Sequence, residues 1–233
     1  VIAIPLVKVY GFIQNVRGLP DVKDINRRFP GVKGGSLARL LAYTLMNKIV
    51  PQIDYGIDFH TGGAARANYP QIRCVLDDEK NIELAKAFTA PFVINSSLID
   101  KSFRKEAHKK DKHILVYETG ESTRFDESGI QEGIDGTMRL MKYLKMKEQA
   151  PEADHQTEIY KKTTWVRAKY AGLFQPKIKL GQRVEQGQQL GYVTDPYGNE
   201  RFKAGCPHDG RVIGLNFAPV VHKGDALLHL AYE

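Results

Sequence analysis

Strand-like and helix-like runs alternate through the first 144 residues, and then the helical period stops. DYGIDF, QIRCVL, PFVIN and HILVYE are short apolar runs of strand type. Around them SLARLLAYTLMNKIV, NIELAKAF, DKSFRKEAHKK and GIQEGIDGTMRLMKYL read as helices. Such alternation predicts an α/β domain with a mixed sheet flanked by helices. Ser36 is the expected N-cap of the first of these helices, and Pro51 its end. Leu37, Leu40, Leu41, Leu45 and Ile49 fall on one face of it, as Ile130, Ile134, Met141 and Leu144 do on the last helix. Residues 1–9 read as a strand that begins without a lead-in, so the domain is expected to be N-terminally incomplete, with further sequence upstream. GFIQNVRGLPDVKDINRRFPGVKGG is punctuated by Gly, Pro and Asp and reads as a long loop. Loops of that length in compact domains are often functional.

After Leu144 the chain turns charged and aperiodic, and from Tyr160 it breaks into short apolar runs between glycines. The expected division is an α/β domain over residues 1–147, a linker over 148–158, and a small all-β, barrel-sandwich-like domain over 159–233. The chain has 233 residues, enough for both. No apolar run approaches the roughly 20 residues that span a bilayer, so no membrane association is expected. Cys74 and Cys206 are far apart and in no CxxC pair, which fits a reducing, cytoplasmic setting. The net charge of +7 is spread along the chain, without the dense aromatic-flanked stripe of a nucleic-acid binder. A diffuse excess of this sign suits a small anionic substrate.

In open α/β sheets, ligands gather at the carboxyl ends of strands and in the loops that follow. His60 ends DYGIDF with a Gly-Gly turn behind it, Glu118 ends HILVY, and the loop after the first run carries Arg17, Asn26 and Arg27. Taken singly, each has a plain reading: a solvent-facing histidine, a carboxylate where a buried strand meets water, a solvated basic loop. Asp58 and His60, two apart on a strand, point the same way, so a carboxylate could orient the imidazole.

Taken in order, these pieces carry more. VYGFIQNVRGLPDVKDINRRFPG, DYGIDFHTGG with NYPQIR, SFRKEA and VYETGESTRFDE resemble the succinylglutamate desuccinylase/aspartoacylase family, a branch of the zinc-carboxypeptidase-like hydrolases. The resemblance covers residues 1–146, and the region from TTWVRAKYAGLFQP onward resembles that family's C-terminal domain. It implies a zinc-dependent deacylase that cleaves the amide of a small anionic N-acyl amino acid. On this resemblance His60 is a zinc ligand and Glu118 the general base. Arg17 stabilises the oxyanion, Asn26 and Arg27 hold a substrate carboxylate, and Arg104 contacts a second one. Zn2+ is the implied cofactor, and the partner class is a small molecule, with room for a homo-oligomer.

The chain departs from the family in two places. Lys8 stands where an asparagine often precedes V-Y-G-F. The family's first two zinc ligands come from an H-x-x-E motif upstream of the run VIAIPLV, and this chain has none there. The remaining histidines, at 108, 113, 155, 208, 222 and 229, lie on the polar helix, beside a strand, in the linker or in the all-β region. The alternative reading is therefore a truncated or degenerate member that keeps the fold without zinc. A third reading comes from the G-x-x-V-x-x-G-x-x-L-like rhythm of KLGQRVEQGQQLGYV and VHKGDALLHLAY, which is similar to biotinyl and lipoyl carriers. A carrier needs a lysine at its hairpin tip. The tip DPYGN has none, and Lys203 is only nearby, so the region reads as structural.

Overall fold

In the computed structural model, which describes residues 1–63 and 65–233, the alternation of strands and helices is present. In chain order the elements are α1 (Val9–Ile13), α2 (Leu37–Thr44), β1 (Tyr55–Gly62), β2 (Arg66–Cys74), α3 (Glu79–Phe88), β3 (Phe92–Asn95), α4 (Phe103–His108), β4 (His113–Glu121) and α5 (Glu127–Tyr143). From there on every element is a strand: β5 (Glu158–Tyr160), β6 (Lys162–Arg167), β7 (Gly172–Pro176), β8 (Arg183–Val184), β9 (Gln189–Thr194), β10 (Arg201–Gly205), β11 (Gly210–Asn216), β12 (Val220–Val221) and β13 (Ala226–Tyr232). The chain forms two units, Val1–Gly56 with Ser97–Ile114, and Ile57–Ser96 with Leu115–Glu233.

In the first unit α2 runs on through a π-helical stretch, Leu45–Ile49, and a 3-10 turn, Val50–Gln52, that holds Pro51. Ser36 is extended at its N-cap, but the capping acceptor is Asp21, whose Oδ2 takes the Ala38 N–H at 3.1 Å. The buried face also differs from the expected leucine face. Ala38, Ala42, Met46 and Val50 pack with Leu19, Ile25 and Phe29, while Leu37 and Leu40 stay exposed. Close approach of the preceding loop explains it. A Cβ on Gly31, which has φ +80°, would lie 2.2 Å from the Arg39 carbonyl oxygen, so only small helix residues fit under the loop. Residues 1–8 do not form the expected strand. Among the described residues no strand pairs with them, and without a ladder an apolar run has nothing to fix its extended backbone.

The second unit is built on a sheet in the order β1-β4-β2-β11-β13-β6, with β3 between β2 and β5 and with β8 beside β11. The sheet is mixed: β2–β3 and β3–β5 are parallel, and β2–β4, β2–β11, β11–β13 and β13–β6 are antiparallel. Helices α3 and α5 pack on one side of it. Here too the helix face differs from expectation, because Ile130 and Ile134 are exposed and Gly129, Gly133, Gly136 and Leu140 are buried. Aromatic side chains fill the space that the glycines leave: Phe88 and Tyr117 meet at a tilt with their rings 5.3 Å apart, and Phe59 meets Tyr117 edge-on at 5.7 Å. A Cβ on Gly136 would come within 2.2 Å of the Phe88 ring. Gly136→Ala is therefore expected to destabilise the protein by about 1–3 kcal/mol despite alanine's better helix propensity. Urea unfolding measures this, and an unchanged or raised midpoint would contradict the packing described.

The C-terminal strands do not close a barrel of their own among the described residues. β11 joins the main sheet by pairing with β2, and a second, four-stranded sheet runs β10-β9-β7-β12. Phe174, Leu190 and Val193 from one sheet and Val212, Leu215, Leu228 and Leu230 from the other share a core. The β9–β10 turn is the DPYGN segment, closed by Gly198 N–H to Asp195 O at 3.1 Å, and Lys203 lies within β10 rather than at its tip. Among the described residues no helix is long and apolar enough to cross a membrane.

Candidate active site

Strand alternation sets which side chains meet. Phe59 on β1 and Tyr117 on β4 turn toward α5, so Asp58, His60 and Glu118 turn to the opposite face of the sheet. β1 extends three residues beyond DYGIDF, which places His60 within the strand beside β4. Its Nε2 lies 3.0 Å from Asp58 Oδ2 and its Nδ1 3.9 Å from Glu118 Oε1. Asp58 thus orients the imidazole, as a carboxylate behind a ligating or catalytic histidine does. A gap of 3.9 Å is too long for a direct hydrogen bond and suits a shared water or cation.

Glu118 is held from the other side by β2. Gln71 pairs with Glu118, Arg73 with Val116 and Asn68 with Gly120, and the register slips between Asn68 and Gln71. Residues three apart on a strand normally face opposite ways. The bulge at Tyr69–Pro70 returns Asn68 to the face of Gln71 and Arg73. Asn68 Nδ2 donates to Glu118 Oε2 at 2.7 Å, and Arg73 Nε lies 3.9 Å from Oε1. The Glu118 side chain is 15% exposed, enough for a small molecule to touch it and little enough to fix its rotamer.

The same face continues into the C-terminal strands. Asn68 pairs with Gly214, Gly214 with His229, and His229 with Trp165. His229 is buried and stacks on Trp165 at 4.1 Å and 5°. Arg66 lies over Trp165 at 5.6 Å. Burial, with the charge of Arg73 adding to it, pushes the His229 imidazole down to about 3, so it is neutral when folded. The unfolded chain takes up a proton near 6.5, and the folded chain does not until about 3. Stability is therefore complete above 6.5 and falls by up to about 1.4 kcal/mol per pH unit below it. His229→Gln is expected to flatten this part of the curve in urea unfolding at pH 7 and pH 5. An equal loss in both proteins would show that His229 is not its source.

Arg17, Asn26, Arg27 and Arg104 belong to the first unit, and each has a partner there. Arg17 Nη2 donates to Asp24 Oδ2 at 2.9 Å. Burial pulls the Asp24 carboxyl up, but the Arg17 guanidinium and the Asn26 N–H outweigh it and hold it below the usual carboxylate range. Asn26 Oδ1 accepts the Phe103 N–H at 2.8 Å and so anchors the start of α4. Arg27 Nη1 donates to the Asn26 carbonyl at 2.6 Å, and the buried Arg104 donates to the Ser97 carbonyl at 2.7 Å. The structure thus brings His60 and Glu118 together with Asp58, Asn68 and Arg73, and it binds the other four residues into their own unit.

His60 is one donor, and a catalytic zinc takes three protein ligands. Among the described residues no three His, Cys, Asp or Glu side chains converge to hold a metal, so they do not make a zinc site by themselves. His155 and Glu158 have H-x-x-E spacing but are used otherwise. His155 Nε2 bonds the Thr89 carbonyl at 2.9 Å, and Glu158 pairs with Arg211 at 2.6 Å. Asn68, Arg73 and His229 were not singled out from the sequence. Pro70 was the available signal for the first two, since proline inside a strand marks an edge or a bulge.

Comparison with known proteins finds relatives over the length of the chain. A model of the succinylglutamate desuccinylase/aspartoacylase catalytic domain matches residues 1–144. N-alpha-acetyl-L-2,4-diaminobutyric acid deacetylase of Halomonas elongata is 27% identical over 248 residues, covering 99% of this chain and 72% of that protein. A crystal structure of a succinylglutamate desuccinylase/aspartoacylase from Rhodobacter sphaeroides superimposes with a TM-score of 0.88 at 25% identity, over 99% of this chain and 74% of that one. The product-bound ectoine utilization protein EutE (DoeB) of Ruegeria pomeroyi shares the fold, with a TM-score of 0.84 at 21% identity over 99% and 74% of the two chains. With the family model matching more than half of its length, the chain belongs to the succinylglutamate desuccinylase/aspartoacylase family.

Proposed function

We propose that the protein is a hydrolase that cleaves the amide bond of a small, anionic N-acyl amino acid. The observation that carries this reading is Glu118, fixed by Asn68 at 2.7 Å and facing the Asp58-oriented His60 across 3.9 Å. A carboxylate so placed takes a proton from an attacking water and returns it to the departing amine. The Halomonas relative, named as a deacetylase of an N-acetylated diamino acid, supports an N-acyl amino acid as the substrate class. Arg17 would steady the oxyanion, while Asn26, Arg27 and Arg104 would receive substrate carboxylates, a task that suits planar guanidinium groups. These four roles rest on the family pattern alone. Zinc belongs to the proposal with His60 as its donor in this chain, and the further donors it needs are not among the described residues.

A second reading is a family member that keeps the fold and binds ligand without turning it over. Amine release from a panel of N-acyl amino acids separates the two. The hydrolase reading expects release, at least about tenfold faster than from the same amides lacking the α-carboxylate, since a site built for a polar group rejects the analogue without it. Saturable binding of the panel without release would favour the second reading.

A further inference from the structure

Glu118 is contributed by β4, yet the strands that finish its surroundings come from the far end of the chain. The cross-strand row Asn68, Gly214, His229, Trp165 spans β2, β11, β13 and β6 on the face that carries Glu118. Leu228 and Leu230, on either side of His229, belong to the core between the two sheets, so His229 turns to the opposite, catalytic face.

The row is tightly spaced. A Cβ on Gly214 would lie 3.1 Å from His229 Cβ and 3.2 Å from Asn68 Oδ1, so Asn68 and His229 abut across a position with no side chain. His229 is 4% exposed and, among the described residues, its Nδ1 has no hydrogen-bond partner. Leaving a buried polar atom unsatisfied is costly, and no bond from Nδ1 ties the ring down. The stack with Trp165, at 4.1 Å and 5°, braces its orientation. Asn68 in turn is 7% exposed, and its amide must present Nδ2, not Oδ1, to the carboxylate at 2.7 Å. A shift of Asn68 by a few tenths of an ångström would loosen its short bond to Glu118.

We propose that Gly214, His229 and Trp165 are positioning residues, which hold Asn68 against Glu118 and make the C-terminal strands a working part of the catalytic centre. The proposal rests on Glu118 being the base, but its geometric content is measurable without substrate. The test uses the full chain labelled with 15N at asparagine, with the Asn68 side-chain amide identified by its loss in Asn68→Asp.

Gly214→Ala and Trp165→Ala are expected to move that amide toward the position of a free side-chain amide, and Trp165→Phe to restore it. Where turnover is measurable, both disruptive variants should lower kcat by about tenfold or more with KM within about twofold, the signature of a displaced catalytic group. Trp165→Phe should recover most of that loss. An Asn68 amide unchanged in both disruptive variants would overturn the proposal. If Gly214→Ala does not fold, the Trp165 pair decides alone. If the amide moves as expected and the unaltered protein releases no amine, positioning stands and the hydrolase reading fails.

Discussion

Glu118→Gln is expected to lower turnover of an N-acyl amino acid by about a hundredfold to ten-thousandfold, the range that a positioned general base supplies. Glutamine keeps the size of the side chain, and its amide oxygen can still accept from Asn68 Nδ2, so the bond at 2.7 Å survives. What it loses is the ability to take a proton and the charge that faces Arg73 Nε at 3.9 Å. KM should change little, because the group acts on the reacting water rather than on the bound substrate. Steady-state kinetics beside a melting curve measure this. A variant with normal stability and near-normal kcat would remove Glu118 from the role of base.

His60→Ala carries the second large effect. The substitution removes the imidazole that Asp58 orients at 3.0 Å and that faces Glu118 Oε1 across 3.9 Å. Turnover is expected to fall to background, and any zinc held through His60, as proposed, to be lost with it. Asp58→Asn is the graded control. Loss of an orienting carboxylate typically weakens metal affinity or activity by about 10- to 100-fold, so it should reduce metal content without abolishing it. Metal analysis by mass spectrometry checks both variants. The same metal-to-protein ratio in His60→Ala as in the unaltered protein would sink the ligand assignment.

His60 and Glu118 were legible in the sequence because each sits late in an apolar run, where an α/β sheet presents its chemistry, and because DFHTG and VYETGE keep a family order. Asp58 followed from the two-residue period alone. Asn68 and Arg73 were not legible. Their face depends on a register slip at Tyr69–Pro70 that no periodicity count includes. The strand QIRCVL was read without the residues N-terminal to it, which β2 contains. Gln71 and His229 are polar residues buried by pairing between distant strands, and local sequence carries no trace of that pairing.

The helix faces failed for a related reason. Counting leucines and isoleucines marks the apolar face, but in α2 and α5 close packing selects the small face, with alanines under a loop and glycines under Phe88 and Tyr117. VIAIPLV shows the limit of composition. β-branched residues favour a strand only where a neighbouring strand supplies the ladder. The basic loop was legible as polar and long, but not the Arg17–Asp24 pair or the Asn26 bond to α4 within it.

The central claim is that the His60–Glu118 face hydrolyses an acyl amide with Glu118 as its base. Amine release from N-acetyl amino acids, followed for the protein and for Glu118→Gln side by side, tests it most directly. Release by the protein and almost none by the variant, at equal stability, is the expected result. Equal release by both, or by neither, would contradict it.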